Sequence, residues 1–204
     1  MVRLGITGGI GSGKSYVAHL LEKAGLPVYD TDAEAKRLML SDMDIRKGLV
    51  DLLGEEVYIG EKLNKPLLIG YLFANEEHAA RINSIVHPCV KKDFLRWAVS
   101  NAGHEIVALE SAILYESGFD DVVDYVVAVY APLDIRIKRA MERDGATEEQ
   151  VRSRIASQMD EEVKRNRADF VVVNDGRPLL PQVEELLNTI KNRKGEQDAC
   201  VCRI

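Results

Sequence analysis

Gly8-Gly9-Ile10-Gly11-Ser12-Gly13-Lys14-Ser15 decides how this chain is read. It fits the pattern G-x-x-x-x-G-K-[ST] at every fixed position. The residues before it, Val2-Arg3-Leu4-Gly5-Ile6-Thr7, read as a short buried strand. Those after it read as a helix to about Ala24, with Gly25 and Pro27 as the stop. Glycines let the backbone turn with positive φ and point N–H groups into a concavity. The helix N-terminus adds partial positive charge beneath bound phosphates. Lys14 supplies a cation for the β- and γ-phosphates of a nucleotide, and the Ser15 hydroxyl supplies an oxygen ligand for Mg²⁺.

Further along, Val28-Tyr29 is a brief extended piece ending in Asp30, and the spacing from there to about Leu53 is helical. Residues 55–64 read as loop, and 65–74 and 76–100 as two more helices, the second containing Pro88. Strands follow at Glu105-Ile106-Val107-Ala108-Leu109, closed by Glu110, then at 123–130 and 170–173. Continuous β-branched runs of this kind suit strands buried on both faces of a parallel sheet. Pro132 opens a helix to about Arg143, 147–167 is helical and very polar, and a last helix runs to about Lys194. The pattern predicts one α/β domain over 1–194. A helical block at about 31–100 is inserted in it, a lid spans about 136–167, and 195–204 form a flexible tail.

The chain has 204 residues, of which 46% are hydrophobic and 29% charged, which excludes a disordered chain, a fibre and a disulfide miniprotein. No apolar run approaches the roughly 18 residues of a membrane span, and the start carries no secretory signal pattern. A net charge of −6 argues against broad nucleic-acid binding. Three cysteines (Cys89, Cys200, Cys202) without a signal peptide point to free thiols in a reducing, cytoplasmic setting. The four histidines form no ligand pair, so a metal caged by protein alone is not expected. The oligomeric state is not fixed, and a weak homo-oligomer stays open.

A guanine-binding switch is disfavoured, because Asn64-Lys65-Pro66-Leu67 has leucine where that motif needs aspartate. Motor and transport ATPases are usually larger. A small-molecule kinase remains, with an acceptor site and cations to spread over the transferring phosphoryl group. Asp32, in Asp30-Thr31-Asp32 at the carboxyl edge of the sheet, could orient an acceptor hydroxyl, or Thr31 or Asp32 could merely cap the next helix. Glu110 could hold Mg²⁺ through water, or could be a solvated strand end. Arg136, Arg139 and Arg143 lie on the helix after Pro132, and Arg139 and Arg143 share a face. Residues such as Glu142, Asp160, Glu161 and Glu162 interleave with these and later cations, Lys164 among them, so most of this segment is expected to be a solvated face.

The ordered set of motifs resembles the dephospho-CoA kinase family over about residues 2–190. The set comprises Gly5–Ser15, Asp30-Thr31-Asp32, Leu72-Phe73, Ile85-Val86-His87-Pro88, Ile113-Leu114-Tyr115-Glu116, the paired Arg139 and Arg143, Arg154-Ile155 with Gln158, Ala168-Asp169, and Asn174-Asp175-Gly176. Departures from the family pattern are Tyr16 for a small residue, Asn64 and Lys65 for aspartate and arginine, Ala112 for proline and Arg136 for glutamine. The resemblance implies a three-layer P-loop kinase fold with a parallel sheet, a helical acceptor lobe and a helical lid. It implies that ATP, with Mg²⁺ on Ser15, phosphorylates the ribose 3′-hydroxyl of dephospho-CoA. Asp32, Lys14, Arg139 and Arg143 would be catalytic. Gly11, Ser12, Gly13, Lys14, Ser15, Tyr16, Asn174 and Gly176 would bind nucleotide, and Thr7, Asp32 and His87 the acceptor. For His87, packing is as good a reading as contact. A nucleoside or nucleotide kinase with another acceptor is the alternative.

Overall fold

The apolar run of Val2–Thr7 becomes the central strand of a computed structural model that describes residues 1–201, with side chains through Lys194. The elements in chain order are β1 (Val2–Thr7), α1 (Lys14–Lys23), β2 (Val28–Asp30), α2 (Thr31–Ser41), α3 (Met43–Leu53), β3 (Tyr58–Ile59), β4 (Lys62–Leu63), α4 (Lys65–Leu72) and α5 (Glu76–Ser100). They continue with β5 (Ile106–Glu110), β6 (Tyr125–Tyr130), α6 (Leu133–Asp144), α7 (Glu148–Ala156), α8 (Glu161–Arg167), β7 (Phe170–Val173) and α9 (Leu179–Val201). Five strands form one sheet in the order β2-β5-β1-β6-β7. The pairs β1–β5, β1–β6 and β6–β7 are parallel, with Leu4 beside both Ala108 and Tyr125.

The chain divides into two compact units, residues 1–28 with 101–204, and residues 29–100. In the first, alternation along β1 sends Leu4 and Ile6 into a core with Val17, Leu21, Val127, Val172, Val183 and Ile190, so α1 and α9 pack on that face. Gly5 points the other way, where Leu114 and Val123 leave no room for a Cβ. A smaller cluster joins α6 and α7 through Ile137, Ala140 and Val151, and Ile10 of the glycine-rich loop packs against it. In the second unit, α5 is the spine: Ile82, Val86, Val90, Phe94 and Ala98 are buried. They recur at intervals of four, which puts them on one face. Tyr29 meets Phe94 and Trp97 edge-on, and its hydroxyl donates to Asp93.

Four sequence expectations change. The helix expected over 31–53 is two helices, because Asp42 is extended and its carboxylate caps α3 at Asp44 and Ile45. The expected loop at 55–64 holds a 3₁₀ turn (Glu55–Val57) and the β3–β4 hairpin. The polar stretch 147–167 breaks between α7 and α8, where Asp160 caps the second helix. Helix α9 continues to Val201, past the expected end near Lys194 and into the expected flexible tail; residues 202–204 lie outside the described residues, as do the side chains of Cys200 and Cys202.

Leu4 is fully buried between helices and neighbouring strands. Leu4→Ala should destabilise the protein by about 2–5 kcal/mol, read as a lower urea midpoint at unchanged slope.

Candidate active site

The loop Gly8–Gly13 leaves β1 at its carboxyl end and runs directly into α1. Gly13 takes φ +93 as the residue before the helix, a conformation in which a side chain is strained, and a Cβ there would strike the Asn174 amide nitrogen. Gly11, at φ +80, backs onto the main chain of Arg136. The loop is therefore shaped by contacts from α6 and from the end of β7 as well as by its own glycines.

Lys14 and Ser15 open α1 and meet Glu110, the last residue of β5. Ser15 Oγ donates to Glu110 Oε1 at 2.7 Å, and Lys14 Nζ lies 4.0 Å from the same oxygen. A hydroxyl and a carboxylate side by side are hard oxygen donors of the kind Mg²⁺ takes when phosphates and water complete its shell. Asn174 forms a second junction. Its amide donates to the Ser12 carbonyl at 2.8 Å, and Arg139 donates to its backbone and side-chain oxygens at 3.1 and 3.2 Å. Gly176 follows at φ +111.

A third group of contacts reaches the front of the loop from the polar helical segment. Gly9 N–H donates to Glu161 Oε2 at 2.8 Å, and Ile10 N–H donates to Gln158 Oε1 at 3.1 Å. Arg136 Nε donates to the Ile10 carbonyl at 3.1 Å, and Arg136 Nη1 lies 3.5 Å from Glu161 Oε2. Arg136 and Glu161 are 4% and 9% exposed. Burial pushes the Glu161 carboxyl above its ordinary range, against the pull of Arg136 and the Gly9 N–H. Nearby, Lys164 is 0% exposed and donates to the Ala112 carbonyl at 2.6 Å, with Glu116 Oε1 at 2.9 Å. The expectation of a solvated face over this segment is corrected at Arg136, Glu161 and Lys164.

The remaining candidates fall in different places. Thr7 is buried at the end of β1, and its hydroxyl has no partner among the described residues. Tyr16 is exposed on α1. Arg143 is 62% exposed, and its guanidinium lies on Asp144 at 2.7 Å, with Arg154 on the same carboxylate. In the second unit, Asp30, not Thr31 or Asp32, is the cap of α2: its carboxylate accepts from Asp32 N–H and Ala33 N–H. Asp32 sits exposed in the first turn. His87, half-buried on α5, has its pKa lowered by burial and by Lys91, while Asp32 pulls it back up, so the two predicted acceptor residues feel each other. Cys89 is half-buried, and burial pushes its thiol up.

Residues 2–179 match the family model for dephospho-CoA kinase. The chain belongs to the dephospho-CoA kinase family. A relative of that name from Bacteroides fragilis is 54% identical over 187 residues, covering 91% of each chain. Among solved structures, the Thermus thermophilus protein TT1252 superposes with a TM-score of 0.77 at 35% identity, covering 94% of this chain and 97% of its own. The dephospho-CoA kinase from Campylobacter jejuni superposes at 0.68 with 20% identity, covering 94% and 98%, and supports the fold. The fold is that of the P-loop kinases, with which the parallel five-stranded sheet and its helices agree.

Within this family member, Asn174 is the junction between Arg139 and the phosphate loop. Asn174→Ala strips the Ser12 carbonyl of its donor and Arg139 of one acceptor, so it should cost about 1–3 kcal/mol in urea unfolding. A midpoint equal to that of the unaltered protein would show that water replaces both bonds without loss.

Proposed function

We propose that this chain transfers the γ-phosphoryl group of ATP to the ribose 3′-hydroxyl of dephospho-CoA, giving ADP and CoA. The observation that carries it is the formed phosphate loop at residues 8–15 in a chain whose family match runs over residues 2–179. In the transfer, the bond from the γ-phosphorus to the bridging oxygen of ADP breaks, a bond to the 3′-oxygen forms, and the hydroxyl proton leaves through a base or to water.

The backbone N–H groups from Gly11 to Tyr16 cradle the phosphates, and Lys14 spreads positive charge over them. Ser15 and the neighbouring Glu110 would hold Mg²⁺, which would supply charge neutralisation for the phosphate oxygens. Asn174 and Gly176 are assigned to the nucleotide base, an assignment supported by the Asn174 amide on the Ser12 carbonyl of the phosphate loop and by Arg139 on Asn174. Arg143 serves the lid over 136–167, which requires its guanidinium to exchange Asp144 for phosphate. Asp32 orients the acceptor hydroxyl and takes its proton. That Asp30 already supplies the helix cap leaves the Asp32 carboxylate available, and this supports the assignment. Thr7 and His87 are the further residues assigned to the acceptor. A small-molecule enzyme of this kind works in the cytoplasm without membrane or nucleic acid; among the described residues no helix is long and apolar enough to cross a membrane.

ADP release with ATP and Mg²⁺ should be strongly stimulated by dephospho-CoA and not by adenosine or AMP. Stimulation by adenosine or AMP instead would overturn the acceptor assignment while leaving the phosphate loop in use. Asp32→Asn is nearly isosteric and should lower kcat by about 10²-fold or more with ATP affinity little changed. A retained kcat would remove Asp32 from the chemistry. Lys14→Ala should abolish most turnover with the circular dichroism spectrum intact.

A further inference from the structure

The loop's own hydrogen bonding explains why outside groups matter. Within Gly8–Gly13 one bond closes the turn, Ser12 N–H to the Gly9 carbonyl at 3.1 Å. The Gly9 and Ile10 N–H groups and the Ile10 carbonyl are left facing the protein. Gln158, Glu161 and Arg136 answer all three, from positions 126 to 152 residues away in sequence. Packing reinforces them, since the Ile10 side chain sits in the α6–α7 cluster. At Gly9 the Arg136 guanidinium and the Glu161 carboxylate come so close that no Cβ fits.

We propose that Arg136, Gln158 and Glu161 form a clamp on the first turn of the phosphate loop, and that it sets nucleotide affinity by holding Gly9 and Ile10 in the binding conformation. None of the three needs to touch the nucleotide; they are positioning residues. The inference rests on the proposed use of this loop for ATP and on nothing about the acceptor.

The clamp works through preorganisation. A loop held only at its glycines samples many conformations, and binding phosphate must then order it, at a cost in affinity. Three hydrogen bonds that constrain two adjacent residues remove that cost before the ligand arrives. Two of the three involve a buried charge, and the two charges face each other, so neither is left uncompensated. Glu161 uses one oxygen, Oε2, both for the Gly9 N–H and towards Arg136. A glutamine carbonyl oxygen has two lone pairs and can take over both contacts.

The test is ADP binding by calorimetry, which needs no acceptor, alongside KM for ATP, kcat and thermal melting. Glu161→Ala should weaken ADP by about tenfold or more, because Gly9 N–H and Arg136 lose their partner together. Glu161→Gln should restore affinity to within about threefold of the unaltered protein, since it keeps the acceptor. Gln158→Leu leaves the buried ion pair alone and should weaken ADP by about three- to tenfold, with KM for ATP rising in parallel and little change in melting temperature. If Glu161→Ala does not fold, Gln158→Leu decides. Unchanged ADP affinity in a folded Glu161→Ala or Gln158→Leu protein would overturn the clamp, whether or not the melting temperature falls. So would a Glu161→Gln protein as impaired as Glu161→Ala. An unaltered protein that binds ADP but leaves dephospho-CoA unphosphorylated would sink the proposed reaction and leave the clamp standing or falling on these affinities.

Discussion

The hydrogen bonds that the phosphate loop cannot make for itself organise much of the first unit. A backbone turned through several glycines gives up the regular pairing that a helix or strand would provide, and each buried N–H or C=O it leaves over must find a partner elsewhere. Here the partners come from α6, from the Gln158–Glu161 stretch at the start of α8, and from Asn174 after β7. Each of these segments is tied to the sheet independently. Asn174 N–H pairs with the Tyr130 carbonyl, and Lys164 holds α8 to the chain that leaves β5. The loop is thus a point on which three distant pieces of sequence converge, and its geometry is only as good as theirs.

Charge burial near the loop follows a consistent rule. Arg136 with Glu161, and Lys164 with Glu116, are pairs whose desolvation roughly cancels their attraction, so neither contributes much net stability. What such pairs supply is direction, because removing one partner is far more costly than having neither. The guanidinium can satisfy both a loop carbonyl and a carboxylate only when α6 and α8 stand correctly against the loop. The ammonium of Lys164 does the same for the Ala112 carbonyl and Glu116, whose Oε1 also accepts the Met159 N–H. The second unit uses the device in milder form, with Asp93 receiving both the Tyr29 hydroxyl and Arg37.

What could be read from sequence was what is local. The strands at 106–110 and 125–130 announce themselves because burial on both faces demands nearly unbroken apolar runs, whereas 170–173 carries the same apolar pattern at the sheet edge with Val171 exposed. The phosphate loop is legible because its glycines, lysine and serine are contiguous. The breaks at Asp42 and at 157–160 were not, since aspartate and serine interrupt a helix only when their side chains turn back to cap it, and periodicity cannot show that. By the same limit Thr31 and Asp32 are open as α2 caps in the sequence, beside an acceptor role for Asp32, when Asp30, one residue before Thr31, makes both bonds. The contacts of Glu161, Gln158 and Asn174 with the loop are hydrogen bonds to backbone, which leave no complementary pattern at the other end. Glu161 and Lys164 looked like part of a solvated charge run; their spacing of three, which places both on one face of a short helix, was the available hint.

Helix α8 shows why that face is charged and not apolar. At seven residues it is too short to be helical alone in water, so its order depends on docking. An apolar face would dock with a gain proportional to buried area and with little preference for register. The face it presents instead is Glu161 and Lys164, backed by the Asp160 cap, and these dock with small net gain but strict geometry. A segment held in that way docks in one register, because no other satisfies both charges and the groups they answer. That is the property required of an element whose Glu161 meets the Gly9 N–H of the phosphate loop. It follows from placing a carboxylate and an ammonium three residues apart where leucines would have held faster and less selectively.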